Sequence, residues 1–277
     1  MNKLLKKMMV ALLSLGLAQA VLADDVPDFQ ETLQAAKQGY AAAQYNLGVM
    51  YEQGQGVRQD DAQAVQWYRK AAEQGYAQAQ HNLGGMYDSG RGVHQDYTQA
   101  VQWYRKAAEQ GYAGAQNNLG KMYANGQGVR QDYAQAVQWF RKAAEQGVAE
   151  AQHNLGVAYD QGLGARQDDA QAVQWYRKAA EQGHADAQFN LGLMYDQGRG
   201  ARQDDAQAVQ WYRMAAEQGD AKAQVNLGAM YAKGRGDRQD YTQAAQWYRK
   251  AAEQGDDQDQ SHLGLLYPNG PAVRMDV

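Results

Sequence analysis

The spacing of tryptophan constrains the fold of this chain more than any other feature. The 277 residues contain six tryptophans, each 36 positions from the next: Trp67, Trp103, Trp139, Trp175, Trp211 and Trp247. Leu47 and Gly75 begin two further series with the same period. A fixed period of this length is typical of arrays in which one supersecondary unit stacks on the next. The sequence therefore predicts a one-dimensional array, although the length alone would suggest two globular domains.

The repeats follow one another without insertion or deletion. Six full units span 41–76, 77–112, 113–148, 149–184, 185–220 and 221–256. We expect residues 24–40 to form an N-terminal capping half-repeat, because Gln38-Gly39-Tyr40 matches Gln74-Gly75-Tyr76. Residues 257–277 begin a seventh unit that stops half way, so we expect a partial repeat and a C-terminal cap there.

The apolar pattern of each unit indicates two helices, called helix A and helix B below. In the first unit Leu47 and Tyr51 share the apolar face of helix A, while Trp67 and Tyr68 share that of helix B. Gly54 stands where a left-handed residue would end helix A. Aspartates that would cap helix B recur with the period: Asp60, Asp96, Asp132, Asp168, Asp204 and Asp240. Helices of about 13 residues need burial to be stable, so we expect the tryptophans to be core residues.

The repeated unit resembles a known family. It reads A-x-A-Q-x-N-L-G-x-M-Y-x-x-G-x-G-V-x-Q-D and then A-V-Q-W-Y-R-K-A-A-E-Q-G, which is similar to the Sel-one-like repeat. The resemblance covers residues 28–270. It implies an all-α fold, a right-handed superhelical solenoid of antiparallel helix pairs related to the tetratricopeptide repeat. It also implies a scaffold for protein–protein interaction.

Few residues could support catalysis or bind a metal. The chain has no cysteine, and its only serines after residue 23 are Ser89 and Ser261. Neither lies in a Ser-x-x-Lys or Gly-x-Ser-x-Gly motif. The five histidines form no pair four residues apart. We therefore predict a protein without enzymatic activity, metal or other cofactor. The formal charge of −4 further argues against nucleic acid as a partner.

Two other functions stay open. Cysteine-rich relatives of this family suggest a cell-wall-related enzyme or binder that acts on β-lactam or peptidoglycan amides, although this chain lacks their cysteines. A periplasmic signalling regulator is the second alternative. Neither alternative has a motif of its own in the sequence.

Residues 1–23 are expected to be a secretory signal peptide. Lys3, Lys6 and Lys7 precede an apolar run that is shorter than the ~20 residues of a membrane span. Cleavage could follow Ala20 or Ala23. We expect a periplasmic or secreted monomer with no transmembrane segment after signal cleavage.

The positions that differ between repeats predict where a partner binds. On helix A they fall on one side, opposite the core, and in the solenoids that this chain resembles that side lines a concave groove. We predict that a protein or an extended peptide binds there. The predicted groove residues are Tyr45, Val49, Glu52, His81, Asp88, Asn117, Lys121, His153, Asp160, Phe189, Leu193 and Asp196. Amides that border them and could bond to a peptide backbone are Asn46, Asn82, Asn118, Asn154, Asn190 and Asn226.

This groove is expected to be solvent-exposed and to have an acidic rim. Glu52, Asp88, Asp160 and Asp196 supply the carboxylates, and Lys121 is the only cation among these positions. An acidic rim favours a partner with basic or amide-rich segments.

Overall fold

The computed structural model describes residues 28–254, which contain thirteen α-helices and no β-strand. The helices are α1 Phe29–Lys37, α2 Ala41–Gln53, α3 Asp61–Glu73, α4 Ala77–Ser89, α5 Tyr97–Glu109, α6 Ala113–Asn125, α7 Tyr133–Glu145, α8 Ala149–Gln161, α9 Asp169–Glu181, α10 Ala185–Gln197, α11 Asp205–Glu217, α12 Ala221–Lys233 and α13 Tyr241–Ala252. The predicted signal peptide and the partial seventh repeat lie outside the described residues. The all-α fold with one helix pair per 36 residues is confirmed.

The chain forms two compact units. Unit 1 ends at Asp132 and unit 2 begins at Tyr133. In the part of the chain that the structure describes, unit 1 holds α1 to α6 and unit 2 holds α7 to α13. None of these helices is long and apolar enough to cross a membrane.

Short-range chemistry sets where each helix begins and ends. Helix α2 ends at Gly54, whose φ of 70° is left-handed as predicted. Helix α3 begins after Asp60, whose Oδ1 accepts from the backbone N–H of Gln63 at 3.0 Å. The same side-chain cap stands at Asp96, Asp168, Asp204 and Asp240. The predicted cap chemistry is therefore confirmed at these five aspartates.

Within a repeat, a glycine of helix A lets a tyrosine of helix B pack closely. A Cβ atom at Gly48 would lie 2.5 Å from Cδ1 of Tyr68, closer than real Cβ contacts. The Tyr68 side chain is completely buried. The pairs Gly84–Tyr104, Gly156–Tyr176 and Gly192–Tyr212 repeat this contact. These tyrosines are the largest fully buried side chains of the described core.

The expected burial of the tryptophans is only partly right. Trp247 is 8% exposed, whereas the other five tryptophans are half-buried at the edge of the core. A lysine three residues further along the helix covers the outer face of the ring, as where Lys70 Nζ lies 4.0 Å from the centroid of Trp67. An aromatic ring, tyrosine in all repeats but the third, therefore fills the centre of the repeat, and a Trp–Lys pair closes the edge in every repeat except the fifth, which carries Met214 in place of the lysine.

Buried glutamines join successive repeats. Gln80 donates from Nε2 to the carbonyl oxygen of Ala72 at the end of α3, at 3.0 Å. Gln110 in turn donates to Oε1 of Gln80 at 2.7 Å. An unpaired carbonyl at a buried helix end would be costly. The glutamine of the A-x-A-Q motif thus satisfies the last turn of the preceding helix B.

Candidate partner-binding face

The predicted groove residues lie on one face of each helix A, called the helix-A face below. It consists of the positions equivalent to 45, 49 and 52. At the first of these positions a ring packs over the buried aromatic of the same repeat. Tyr45 lies 5.9 Å from Tyr68 between ring centroids, and His81 lies 5.7 Å from Tyr104. His153 and Phe189 make the same contact in unit 2.

The expectation that these side chains are exposed is wrong for all of them but Lys121. Tyr45, His81, His153 and Phe189 are half-buried, because the tyrosine drawn in by the helix-A glycine lies beneath each ring. Asn117, the residue at this position in the third repeat, is 3% exposed and presents almost no surface to a partner. Val49, Leu193 and the four carboxylates are half-buried as well, and Lys121 is exposed.

A second set of rings adjoins the first, at positions equivalent to 76. Tyr76 lies 5.3 Å from Tyr45, and Tyr112 lies 5.0 Å from His81. In unit 2, His184 stacks on His153 with an interplanar angle of 17°. This position was not among the predicted groove residues, because it precedes helix A. The signal was present, since the residue after the Gln-Gly pair changes along the chain from tyrosine at 76 and 112 to valine at 148, histidine at 184 and aspartate at 220.

Two asparagines hold His81 in one neutral tautomer. The Asn118 amide donates from Nδ2 to His81 Nε2 at 3.1 Å, so Nε2 must accept. The proton therefore lies on Nδ1, which is 3.2 Å from Oδ1 of Asn82. Burial lowers the pKa of His81, which agrees with a neutral ring. Asn82 and Asn118 are thus already bonded to a side chain, although they were predicted to bond to a peptide backbone.

His153 has the same arrangement in unit 2. Asn190 donates from Nδ2 to His153 Nε2 at 3.1 Å. Burial is the main cause of the lowered pKa of His153, and the adjacent His184 lowers it further. Both histidines of the helix-A face therefore act as neutral acceptors that connect consecutive repeats.

Arginines bind most of the predicted acidic rim. Arg91, in the loop of the second repeat, places Nη1 3.0 Å from Oε1 of Glu52 in the first repeat. Arg199 and Arg235 bind Asp160 and Asp196 in the same way. Three of the four rim carboxylates therefore contact an arginine. The sequence did not indicate these contacts, because each arginine lies in the loop of the next repeat.

The first residue of helix B completes each arginine site. Arg91 Nη2 lies 2.9 Å from Oδ1 of Asp61, and Arg199 and Arg235 bind Asp169 and Asp205 in the same way. Where helix B begins instead with a tyrosine, at 97 and 133, the loop of the next repeat carries Gln127 and Leu163 at the position of the arginine. The two positions thus vary together within the chain.

Asp88 is the rim carboxylate that no arginine binds. It accepts a hydrogen bond from the Tyr104 hydroxyl at 3.3 Å. Gln127, at the loop position of the arginine, instead accepts from Asn125. Burial raises the pKa of Asp88, while the Tyr104 hydroxyl and the charge of Lys121 oppose that rise. Asp88 is therefore a half-buried carboxylate with weaker charge compensation than its equivalents.

A pocket of about 210 Å³ opens on the helix-A face of unit 1. Its walls include Glu52, His81, Gly85, Arg91, Tyr104 and Asn118. The pocket lies at Gly85, where other repeats carry Val49, Lys121, Val157, Leu193 and Ala229. A Cβ at Gly85 would lie 3.6 Å from the Tyr104 hydroxyl, an ordinary contact. The packing does not require glycine here. The pocket occupies the space that the side chains of the other repeats fill at this position.

The pocket lacks the arrangement of a serine hydrolase. Ser89 lies in its wall and donates from Oγ to the carbonyl oxygen of Gly85 at 2.8 Å. Both ring nitrogens of the nearby His81 are bound by Asn82 and Asn118. The imidazole is therefore not placed to take a proton from Ser89. Among residues 28–254, no three His, Cys, Asp or Glu side chains come together where they could hold a metal ion.

The paired helices and the sequence motifs define a repeat family. The model of the Sel1 repeat matches residues 41–76, 77–112, 113–148, 149–184, 185–220 and 221–256. The chain therefore belongs to the Sel1 repeat family, whose members are generally protein-interaction scaffolds. No curated protein matches the chain.

Two solved structures show the same fold. The chain is similar to c5321, described as a protective antigen of uropathogenic Escherichia coli strains with an SLR fold, at 46% identity and a TM-score of 0.83. The match covers 87% of this chain and 51% of the antigen, so this chain spans about half the antigen's length. It is also similar to a Sel1 repeat protein from Oxalobacter formigenes, at 37% identity and a TM-score of 0.70, over 80% of this chain and 94% of that protein.

Proposed function

We propose that this chain is a non-enzymatic scaffold whose helix-A face binds an extended segment of another protein. The variation among otherwise repeated units carries the proposal. Side chains of the core and of the caps recur, whereas those of the helix-A face change from repeat to repeat. In a repeat protein, identical positions hold the stack and varied positions are available for specific contacts.

The composition of this face supports a role in binding. Aromatic rings such as Tyr45 and Phe189 are half-buried and held by the tyrosines beneath them, so they lose little conformational entropy on binding. Rigid aromatic anchors are frequent hot spots of interfaces. The pocket at Gly85 adds a concave feature that could fix the register of a bound segment.

The site of action that we propose is the bacterial periplasm or the cell exterior. Lys3, Lys6 and Lys7, followed by an apolar run and by alanines at the candidate cleavage sites, support export. The similar E. coli protein is described as a protective antigen. Mass spectrometry of the exported protein should find an N-terminus at Val21 or Asp24. Recovery of intact Met1 in a membrane fraction would contradict cleavage.

Substitutions taken from the chain's own repeats test the binding face. Val49→Lys and Val157→Lys should leave the fold intact, because Lys121 occupies the equivalent position in the third repeat. We expect this double variant to lose partners that cross-link to the wild-type protein in intact cells. The matched control is Gln66→Lys with Gln102→Lys, which adds the same charge at exposed positions of helix B. If the control loses the partner and the Val49/Val157 variant keeps it, the helix-A face is not the binding surface.

A further inference from the structure

The pocket at Gly85 is surrounded by more carboxylates than cations. Glu52 forms part of its wall, and Arg91, also in the wall, is shared between Glu52 and Asp61. The Tyr104 hydroxyl in the wall bonds to Asp88. Three carboxylates thus lie in or next to the wall, with one guanidinium among them and one ammonium group, that of Lys121, acting on Asp88. A pocket of this kind attracts positive charge.

The same protein shows what such carboxylates bind. Three times, a rim acid and the first residue of helix B hold a guanidinium between them, at Arg91, Arg199 and Arg235. In each case the tyrosine of the same repeat also donates its hydroxyl to the rim acid, as Tyr68 does to Glu52. Asp88 and Tyr104 keep this acid–tyrosine pair, but Gln127 replaces the arginine.

The walls also suit the flat, weakly hydrated guanidinium group. His81 and Tyr104 present ring surface on the pocket, and their centroids lie 5.7 Å apart. Arginine is favoured at sites that combine aromatic faces with carboxylates. Within the chain, Arg69 already lies over the ring of Tyr87 at 6.0 Å.

We propose that the pocket at Gly85 binds one cationic side chain, preferably arginine, of an extended peptide that lies on the helix-A face. The cation lies between Glu52 and Asp88, in the space that a longer side chain at position 85 would fill. The proposal rests on the function proposed above and specifies the chemistry of the partner, a basic segment. An anionic side chain would instead meet these carboxylates at close range, and a neutral amide would leave Lys121 as the only cation that compensates the charge of Asp88.

Small probes can test the pocket without knowledge of the partner. The full mature chain, labelled with ¹⁵N, is titrated with N-acetyl-arginine amide, and the shifts of the Gly85 and Ser89 backbone amides are followed by NMR. We expect saturable shifts of both signals. N-acetyl-citrulline amide has the same shape without the charge, and it should bind roughly fivefold more weakly, the loss expected for one partly exposed ion pair. N-acetyl-glutamate amide should not shift these signals.

Two variants and one control assign the effect to the pocket. Gly85→Leu fills the space with the residue that the fifth repeat carries as Leu193, and it should abolish the shift at Ser89. Asp88→Asn keeps an acceptor for Tyr104 but removes the charge, and it should make the arginine and citrulline probes bind equally. The control Val157→Leu makes a similar change on the helix-A face of unit 2, and binding should be unchanged.

The outcomes separate this proposal from the function on which it rests. Equal binding of arginine and citrulline to the wild-type protein would overturn the charge preference. Unchanged binding to the Gly85→Leu variant would overturn the location. If either occurs while the Val49/Val157 lysine variant still loses its cellular partner, the helix-A face is a binding surface and only the cation pocket is wrong.

Discussion

Arg91 and Asp61 form a forked ion pair between two repeats. Nε and Nη2 of the guanidinium lie 3.3 and 2.9 Å from the two carboxylate oxygens. Both ends of the pair stand at positions that vary, and they vary together. The bond is possible because the loop comes very close: a Cβ at Gly92 would lie 2.2 Å from the carbonyl oxygen of Asp61. The left-handed glycine of the loop thus brings Arg91 to the start of the preceding helix B.

The contribution of this ion pair can be measured at its equivalent in unit 2. Arg199→Gln should lower the free energy of unfolding by about 1 kcal/mol, since the pair is bidentate but partly exposed. Asp169→Asn should cost less, because Arg199 keeps its contact with Asp160, and the double variant should lose little more than Arg199→Gln alone. Chemical denaturation at low and high salt provides the measurement. Additive losses that do not respond to salt would mean that the two side chains do not interact.

Two adjacent glycines of α4 should respond in opposite ways to the same substitution. At Gly84 a Cβ would lie 2.7 Å from Cδ1 of the buried Tyr104, so Gly84→Ala should destabilise the protein by about 1–3 kcal/mol through overpacking. Gly85→Ala has room and should be neutral or stabilise by up to about 1 kcal/mol, because alanine favours the helix. Urea unfolding of both variants makes the comparison. Equal effects would show that Tyr104 is not packed against Gly84.

Stability should decrease on mild acidification because of His81 and His153. Both histidines have a folded-state pKa below the ordinary value of 6.5. The unfolded chain therefore takes up protons first as pH falls below 6.5, and the folded state loses stability until its own pKa is reached. Protonation of Nε2 would also place a donor against the amide donors of Asn118 and Asn190.

The test compares free energies of unfolding at pH 7.5 and 5.5. The control variant combines His81→Asn with His153→Phe, which are the residues that other repeats carry as Asn117 and Phe189. The wild-type protein should lose stability between these pH values, and the control should lose clearly less. An identical loss in both proteins would assign the pH dependence to other groups.

The periodicity of the chain was enough to predict the helix pairs, their boundaries and their caps. Local chemistry determines these features, as at Gly54 and Asp60. The exposure of the helix-A face was not predictable in this way. Helical phase placed Tyr45 opposite the core, but the close approach of Tyr68 at Gly48 provides a ring on which it packs. Because Tyr68 packs so closely on Gly48, tyrosine fills the centre of the repeat and Trp67 lies at its edge.

The ion pairs of the acidic rim join residues that are far apart in the sequence. Glu52 and Arg91 lie 39 residues apart, and only the close loop at Gly92 brings them together. Within a single repeat the acid has no basic partner, because that partner belongs to the next repeat. Comparison of position 61 with position 91 across all repeats would have revealed the pair, since both vary together.

The pairing of these positions predicts which deletions leave an ion pair across the new junction between repeats. Deletion of residues 185–220 keeps the 36-residue register and places Arg235 where Arg199 was, opposite Asp169 and Asp160. Deletion of residues 77–112 instead places Gln127 opposite Asp61 and Glu52, without an arginine. Both shortened chains should stay helical, because each repeat contacts only its neighbours.

One substitution can restore the ion pair that is missing at the junction of the second deletion. In the chain without residues 77–112, Gln127→Arg should raise the free energy of unfolding by about 1 kcal/mol, and the gain should decrease at high salt. In the full-length chain the same substitution faces Tyr97 and one carboxylate, Asp88, instead of the two carboxylates Asp61 and Glu52, so it should gain less. Denaturant unfolding of the four proteins provides the comparison. An equal gain in both backgrounds would mean that Gln127→Arg acts without Asp61, and that the two positions vary together for a reason other than this ion pair.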